Sequence, residues 1–246
     1  MSNKRQIILS SIFVAIELVL FVLIFTISGP ANKWISFSCI LLCFLFSLTL
    51  ISLSKTKILT QIGLLTTVLA DVFLVILGEH QVVAMSFFSI TQIAYFLRIF
   101  LNTDSKKERV VHIAIRMLAI VGTIIATILV LGEKLDALSF ISMFYYVNLI
   151  LNVVFSFVQT KKSILFPIGL LCFAICDLFI GLQVAIGTYI SVPESSFIDK
   201  VVFSSFNWAW FFYVPAQVLI VLSLVFSGVK RKKTKTGDWS TLKSTN

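Results

Sequence analysis

Charge is scarce in this chain. Asp, Glu, Lys and Arg make up 13% of its 246 residues, about half the ~25% of a soluble domain. That excludes a soluble globular enzyme and a disordered regulator. Cysteine occurs four times and histidine twice. Cys39 and Cys43, and Cys172 and Cys176, are spaced four apart, and neither pair has the C-x-x-C spacing. Four cysteines in a chain this long do not make a disulfide scaffold. A zinc site needs about three or four convergent N or S ligands. His80 and His112 do not supply them, so no metal is expected. A Gly-rich phosphate loop and a G-x-S-x-G elbow are also missing, which leaves no signature for nucleotide or serine-hydrolase chemistry. No cofactor is expected, and no residue pattern specifies an oligomeric state.

What the chain has instead is apolar length. Hydrophobic residues make up 59% and the mean hydropathy is +1.04. A bilayer crossing takes about 20 apolar residues. Eight runs qualify, at 6–28, 34–53, 60–78, 81–101, 112–131, 136–158, 164–190 and 206–228. They do not alternate, so a β-barrel is excluded and helix is the element that satisfies its own backbone in lipid. The expected fold is an all-α integral membrane protein of eight transmembrane helices. Residues 1–230 form one domain and 231–246 a basic tail. The first run follows Lys4-Arg5 without a small-x-small cleavage pattern, so an uncleaved helix is expected there. Gly78-Glu79-His80-Gln81 is short enough to make the third and fourth spans a tight hairpin.

The basic residues are unevenly distributed. Of 20 Lys and Arg, 17 fall on one side of the threaded chain, Arg98 and Arg116 among them, and only Lys33, Lys134 and Lys200 on the other. The positive-inside rule then places both termini in the cytoplasm, and the expected setting is a bacterial cell membrane. The net charge of +9 follows from topology and calls for no nucleic-acid partner. The run Lys230-Arg231-Lys232-Lys233 also suits anionic headgroups.

Ionisable residues inside spans are costly and mark functional sites by default. Glu17, Asp71 and Asp177 lie within apolar runs. Asp71 and Asp177 share a setting: Gly63-Leu64-Leu65 and Gly169-Leu170-Leu171 are each followed by five residues, the Asp, one apolar residue and a Phe. The two spans are four apart in order, which suggests two parallel four-helix repeats. The Asp pair would then share a depth and a cavity. Gln92, Tyr95, Asn148, Asn152, Tyr213 and Gln217 are the candidate polar lining. Asn148 and Asn152, like Tyr213 and Gln217, are four apart and share a helix face.

These segments resemble the YhhN family of multi-span membrane proteins, which includes lysoplasmalogenases. Asp71 and Leu74 match the family's first Asp motif, and Ile93-Ala94-Tyr95 the helix after it. Gly169, Leu171 and Asp177 match the second Asp motif. Tyr213, Ala216, Gln217, Leu219, Ile220 and Ser223 match the last helix, the most specific of the four. Ala70, Cys176, Gln92 and Phe212 stand where the family pattern carries Gly, Ser, His and Tyr. The resemblance implies about eight helices. It also implies cleavage of the vinyl-ether bond of a lysophospholipid, a membrane lipid substrate.

Two carboxyls suit that reaction. One protonates the β-carbon of the vinyl ether, and the other steadies the oxocarbenium ion or activates water, as carboxyl pairs do in glycosidases. Asp71 and Asp177 are the candidate catalytic residues, with Gln92, Tyr95, Asn148, Tyr213 and Gln217 as substrate-binding residues. The rival readings are a proton-coupled carrier of lipid or small molecules and an inactive family member that binds lipid. Pro215 is the single candidate kink a carrier could use.

Overall fold

A computed structural model describes residues 3–50, 54–158, 163–188, 193 and 196–226. The basic tail at 231–246 lies outside the described residues. Helix is the regular structure throughout the described residues. Eight helices are long and apolar enough to cross a membrane: α1 (Asn3–Thr26), α2 (Pro30–Thr49), α3 (Lys55–Asp71) with its continuation to Leu77, α4 (Gln81–Asn102), α5 (Lys106–Leu131), α6 (Ala137–Val158), α7 (Leu165–Thr188) and α9 (Trp208–Phe226). A short helix, α8 (Phe197–Val202), precedes α9. The protein is an eight-span integral membrane protein.

Local chemistry sets the boundaries. Pro30 opens α2 after Gly29, where a missing N–H costs nothing. Ser105 caps α5, its hydroxyl accepting from the Glu108 N–H at 3.4 Å, and Ser196 caps α8 in the same way through Asp199 at 3.1 Å. Both supply an acceptor that the first helical turn lacks. The α3–α4 hairpin turns at Gly78, whose φ of 70° is left-handed, a conformation open to a residue without a Cβ. The Glu79 N–H closes the end by reaching the Phe73 carbonyl at 3.2 Å.

Two helix starts differ most from the sequence expectation, and both matter. α3 begins at Lys55, five residues before the expected 60, so Asp71 is the last of its 17 residues. Directly after it the chain widens into a π-helix, Val72–Leu77. Asp71 therefore sits about 9 Å below the hairpin end, at 1.5 Å per residue, rather than at mid-span. α5 begins at Lys106 instead of 112. That draws His112 and Arg116 from an expected helix end into the helix, where both are buried. At both starts the charged residues, Lys55 and Lys57 in α3 and Lys106, Lys107, Glu108 and Arg109 in α5, fall outside the apolar run, although Lys and Arg pack their stems along a helix and reach outward from it.

The packing follows two halves. α3 lies along α4, and α7 lies along α9; α1–α2–α3 are successive neighbours, as are α5–α6–α7; and α2 meets α9 as α6 meets α4. The matched glycines serve the same end in each half. A Cβ on Gly63 would overlap the Tyr95 ring of α4, and one on Gly169 would lie 2.8 Å from Ile220 Cγ1 and 3.0 Å from the Ala216 carbonyl of α9. Small residues let membrane helices approach where no hydrophobic force draws them together. Hydroxyls bond across the first contact, with Thr66 and Thr91 at 2.7 Å.

Candidate functional site

The interior carries two polar layers. The first is acidic. Asp71, only 2% exposed, accepts a hydrogen bond from the Tyr213 hydroxyl at 2.7 Å, which joins α3 to α9. Asp177, partly buried, accepts one from the Tyr145 hydroxyl, which joins α7 to α6. The two carboxyls lie within electrostatic reach of each other, and the field of Asp71 also reaches Cys176 and Tyr145. Between the tyrosines runs a continuous aromatic wall. Phe88 lies 5.7 Å from Tyr145, Phe173 lies 5.9 Å from Phe88, and Tyr213 lies 5.4 Å from Phe173. Phe173 precedes Asp177 by one helical turn, so the rings back the acids on the side away from the hairpin end.

The second layer is basic. Arg116 of α5 donates to Asn148 Oδ1, to Asn152 Oδ1 at 2.7 Å, and faces His112 Nε2 at 3.4 Å. Asn152 in turn donates to the Gln92 side chain at 3.0 Å and to its carbonyl at 2.9 Å. The guanidinium lies over the Phe96 ring at 4.3 Å. A further buried cation, Arg98, donates to Thr60 at 2.8 Å and to Ser223 at 2.9 Å and stacks on Phe166 at 3.6 Å. It ties α3, α4, α7 and α9 together. Glu79 and His80 form an exposed contact at 3.9 Å, and among the described residues no carboxyl pairs with Arg98 or Arg116. The buried carboxyls and the buried guanidiniums thus stay apart.

The expected site residues separate accordingly. Asp71, Asp177 and Tyr213 come together at one level. Gln92, Asn148 and Asn152 belong to the Arg116 layer. Tyr95 packs on Gly63, and among the described residues neither its hydroxyl nor either polar end of Gln217 has a hydrogen-bond partner. Tyr145 was missed, although its sequence signal existed: it stands three residues before Asn148, hence on the same helix face. Arg116 was missed because it was counted as topology charge. No group of three His, Cys, Asp or Glu side chains among the described residues is placed to hold a metal ion.

An eight-helix bundle with two tyrosine-bonded carboxyls inside its spans is a polytopic membrane protein with an intramembrane acid pair. The family is also shown. The model of the YhhN family matches residues 32–224, a span that includes both Asp residues and Tyr213, and the chain belongs to that family. No curated protein and no solved structure matches it.

Proposed function

We propose that this protein is a lysoplasmalogenase-like hydrolase that cleaves the vinyl-ether bond of a lysophospholipid, with Asp71 and Asp177 as its acid pair. The observation that carries the reading is the pairing itself: two carboxyls at one level, each bonded to a tyrosine and neither to a cation. A carboxyl locked to Arg stays ionised and cannot give up a proton. One bonded to a hydroxyl keeps both states open.

In the reaction, a protonated carboxyl delivers its proton to the β-carbon of the C=C–O unit. The C=C electron pair forms the new C–H bond, and the ether oxygen shares the resulting positive charge. The other carboxylate steadies that oxocarbenium ion, then takes a proton from water as the water oxygen bonds to the α-carbon. The hemiacetal collapses to an aldehyde and a glycerophospho-alcohol, and the proton taken from water restores the acid. No metal or nucleotide takes part. The rings of Phe88 and Phe173 give the acids apolar surroundings on one side, where bulk water is excluded.

The substrate enters from the lipid phase, since the acids lie inside the spans. With both termini cytoplasmic, as the basic asymmetry indicates, Asp71 is nearer the outer face of a bacterial cell membrane. The test uses purified protein in lipid nanodiscs, with 1-alkenyl and 1-acyl lysophospholipids side by side. The expected product is a long-chain aldehyde from the alkenyl lipid alone. In D2O it carries deuterium at the carbon next to the aldehyde, and in 18O-water it carries the label on the carbonyl oxygen. Fatty acid release from the acyl lipid, with no aldehyde from the alkenyl one, would overturn the reading.

A further inference from the structure

Two polar bridges fix how α3 and α9 lie against each other. Near the hairpin end, the Tyr213 hydroxyl of α9 donates to Asp71 of α3. Toward the other end, Arg98 joins Thr60 of α3 to Ser223 of α9. Eleven residues back along α3 thus answer ten forward along α9, so the helices run antiparallel in one register between the bridges. Four residues before Asp71 stands Thr67, and four after Tyr213 stands Gln217. One turn on each helix brings these two side chains to a common rung, about 6 Å along the helices from the acid at 1.5 Å per residue.

Tyr95 of α4 completes the rung. Its ring packs on Gly63, one turn before Thr67. Its hydroxyl lies beside Thr67 and within electrostatic reach of Cys43 of α2. Thr67, Tyr95 and Gln217 are each 0% exposed. The Thr67 hydroxyl donates to the Gly63 carbonyl at 2.9 Å and can still accept a bond. Among the described residues the Tyr95 hydroxyl and both polar ends of Gln217 have no partner. The rung therefore presents a phenol, an amide donor and an amide acceptor, all unmet. Buried polar groups in folded proteins are nearly always met, by protein or by ordered water.

We propose that this rung is an internal water site, held by Thr67, Tyr95 and Gln217. Its ligand must be small, because none of the three residues is open to lipid. It must be neutral, because these side chains carry no charge to balance an ion inside the bilayer. It must also donate and accept, because the amide asks for both. Water meets all three conditions, and buried water binds where about two to four polar groups converge. It donates to Gln217 Oε1 or Thr67 Oγ1, and it accepts from the Tyr95 hydroxyl or Gln217 Nε2. The bound water joins the acid rung to the Arg98 rung between α3, α4 and α9. It does so whether or not the acid pair turns over a lipid.

The experiment is X-ray hydroxyl-radical footprinting of the full chain in nanodiscs, read residue by residue by mass spectrometry. Radicals form from the bound water itself, so a side chain beside it is oxidised although bulk solvent does not reach it. Tyr95 is expected to be oxidised. Phe13, a comparably buried ring stacked on Phe46, is expected to stay intact. Gln217→Leu should lower the Tyr95 signal about two- to tenfold, the effect of one hydrogen bond to the water. Tyr95→Phe and Gln217→Leu should each raise the unfolding constant by a similar factor. The double variant should raise it by less than the product, because the two side chains make no bond to each other and are coupled through the bridge. An amide without a partner behaves in the opposite way: Gln217→Leu would then stabilise the protein. That stabilisation, or losses that simply multiply, would overturn the proposal. So would an intact Tyr95 in the parent protein, a result that needs no variant to fold. Loss of Tyr95 oxidation on adding 1-alkenyl lysophospholipid would give the rung to the substrate and overturn it too.

Discussion

The acid layer and the Arg116 layer share one helix face, since Tyr145, Asn148 and Asn152 follow each other along α6. Yet they solve the cost of a buried polar group in opposite ways. Arg116 is surrounded by amide oxygens, an imidazole and a ring face. Asp71 and Asp177 each have one hydroxyl. A direct ion pair would have neutralised both layers at once, and the chain has not made it. The difference teaches what each layer is for. A guanidinium held by amides fixes the positions of three helices and stays charged. A carboxyl held by one hydroxyl keeps a free oxygen and a choice of protonation state, which chemistry needs and scaffolding does not.

The strongest way to break this contrast is to remove the acids. Asp71→Asn and Asp177→Asn keep size and most hydrogen bonds but cannot hand over a carboxylic proton. Each is expected to lower aldehyde formation by about 10²–10⁴-fold, with thermal stability close to that of the parent. Turnover that falls only in step with the folded fraction would make the Asp residues structural. The next largest effect belongs to the other layer. Arg116→Ala strips Asn148 and Asn152 of a donor and leaves a gap over Phe96. A loss of about 2–3 kcal/mol in stability is expected, summing hydrogen bonds worth about 0.6–1.5 kcal/mol each with the lost packing. Turnover per folded molecule should change less than about tenfold. A larger drop would move Arg116 into the active site and erase the contrast.

The sequence made the acids legible and their partners less so. Asp71 and Asp177 stood out because a carboxyl in a 20-residue apolar run has few structural reasons to exist, and the repeated Gly-Leu-Leu frame set them in equivalent helices. The hydroxyl partners were half visible. Tyr213 lay in the most specific motif, but Tyr145 resembled any interfacial aromatic. Gln92, Asn148 and Asn152 were assigned to the acid site by depth alone. Depth along a helix says nothing about azimuth across a bundle, and the azimuth is set by which helices touch. The π-helix after Asp71 left no trace in the sequence, since Val72–Leu77 reads as an ordinary apolar stretch. Counting Arg116 as a topology charge hid the cation at the centre of the second layer.

A finer probe of the acid layer is its tyrosines. Tyr213→Phe removes the 2.7 Å bond to Asp71, and Tyr145→Phe removes the bond to Asp177. Each is expected to cost about three- to tenfold in kcat/KM, the worth of one buried hydrogen bond. The double variant decides whether the layer works as a unit. Two independent pairs give losses that multiply, whereas one connected network gives a smaller combined loss than the product. A tyrosine variant as inactive as the Asn variants would make the hydroxyl, rather than the carboxyl, the proton donor.

The smallest effect comes from a carboxyl in water, and it calibrates the buried ones. Asp136 precedes α6 and is fully exposed. Its Oδ1 accepts from the Ser139 N–H at 2.7 Å. Hydrogen bonds from Ser139, first from its side chain and then from its backbone, hold this carboxyl below the ordinary value. A depressed folded value means the carboxylate favours the folded state. That contribution is fully present above the ordinary carboxylate range and fades as pH falls through the lowered value. Asp136→Asn keeps the capping oxygen but not the charge. It should melt slightly below the parent at neutral pH, and the gap should close in acid once the parent's carboxyl is protonated too. Salt should narrow the gap as well, because the site is open to screening. A gap that stayed constant down the pH scale would mean the charge contributes nothing at this cap. The same titration on aldehyde formation should follow the buried acids instead, since Asp136 touches neither of them. If activity and the Asp136 melting gap fell together, the separation between exposed and buried carboxyls would be lost.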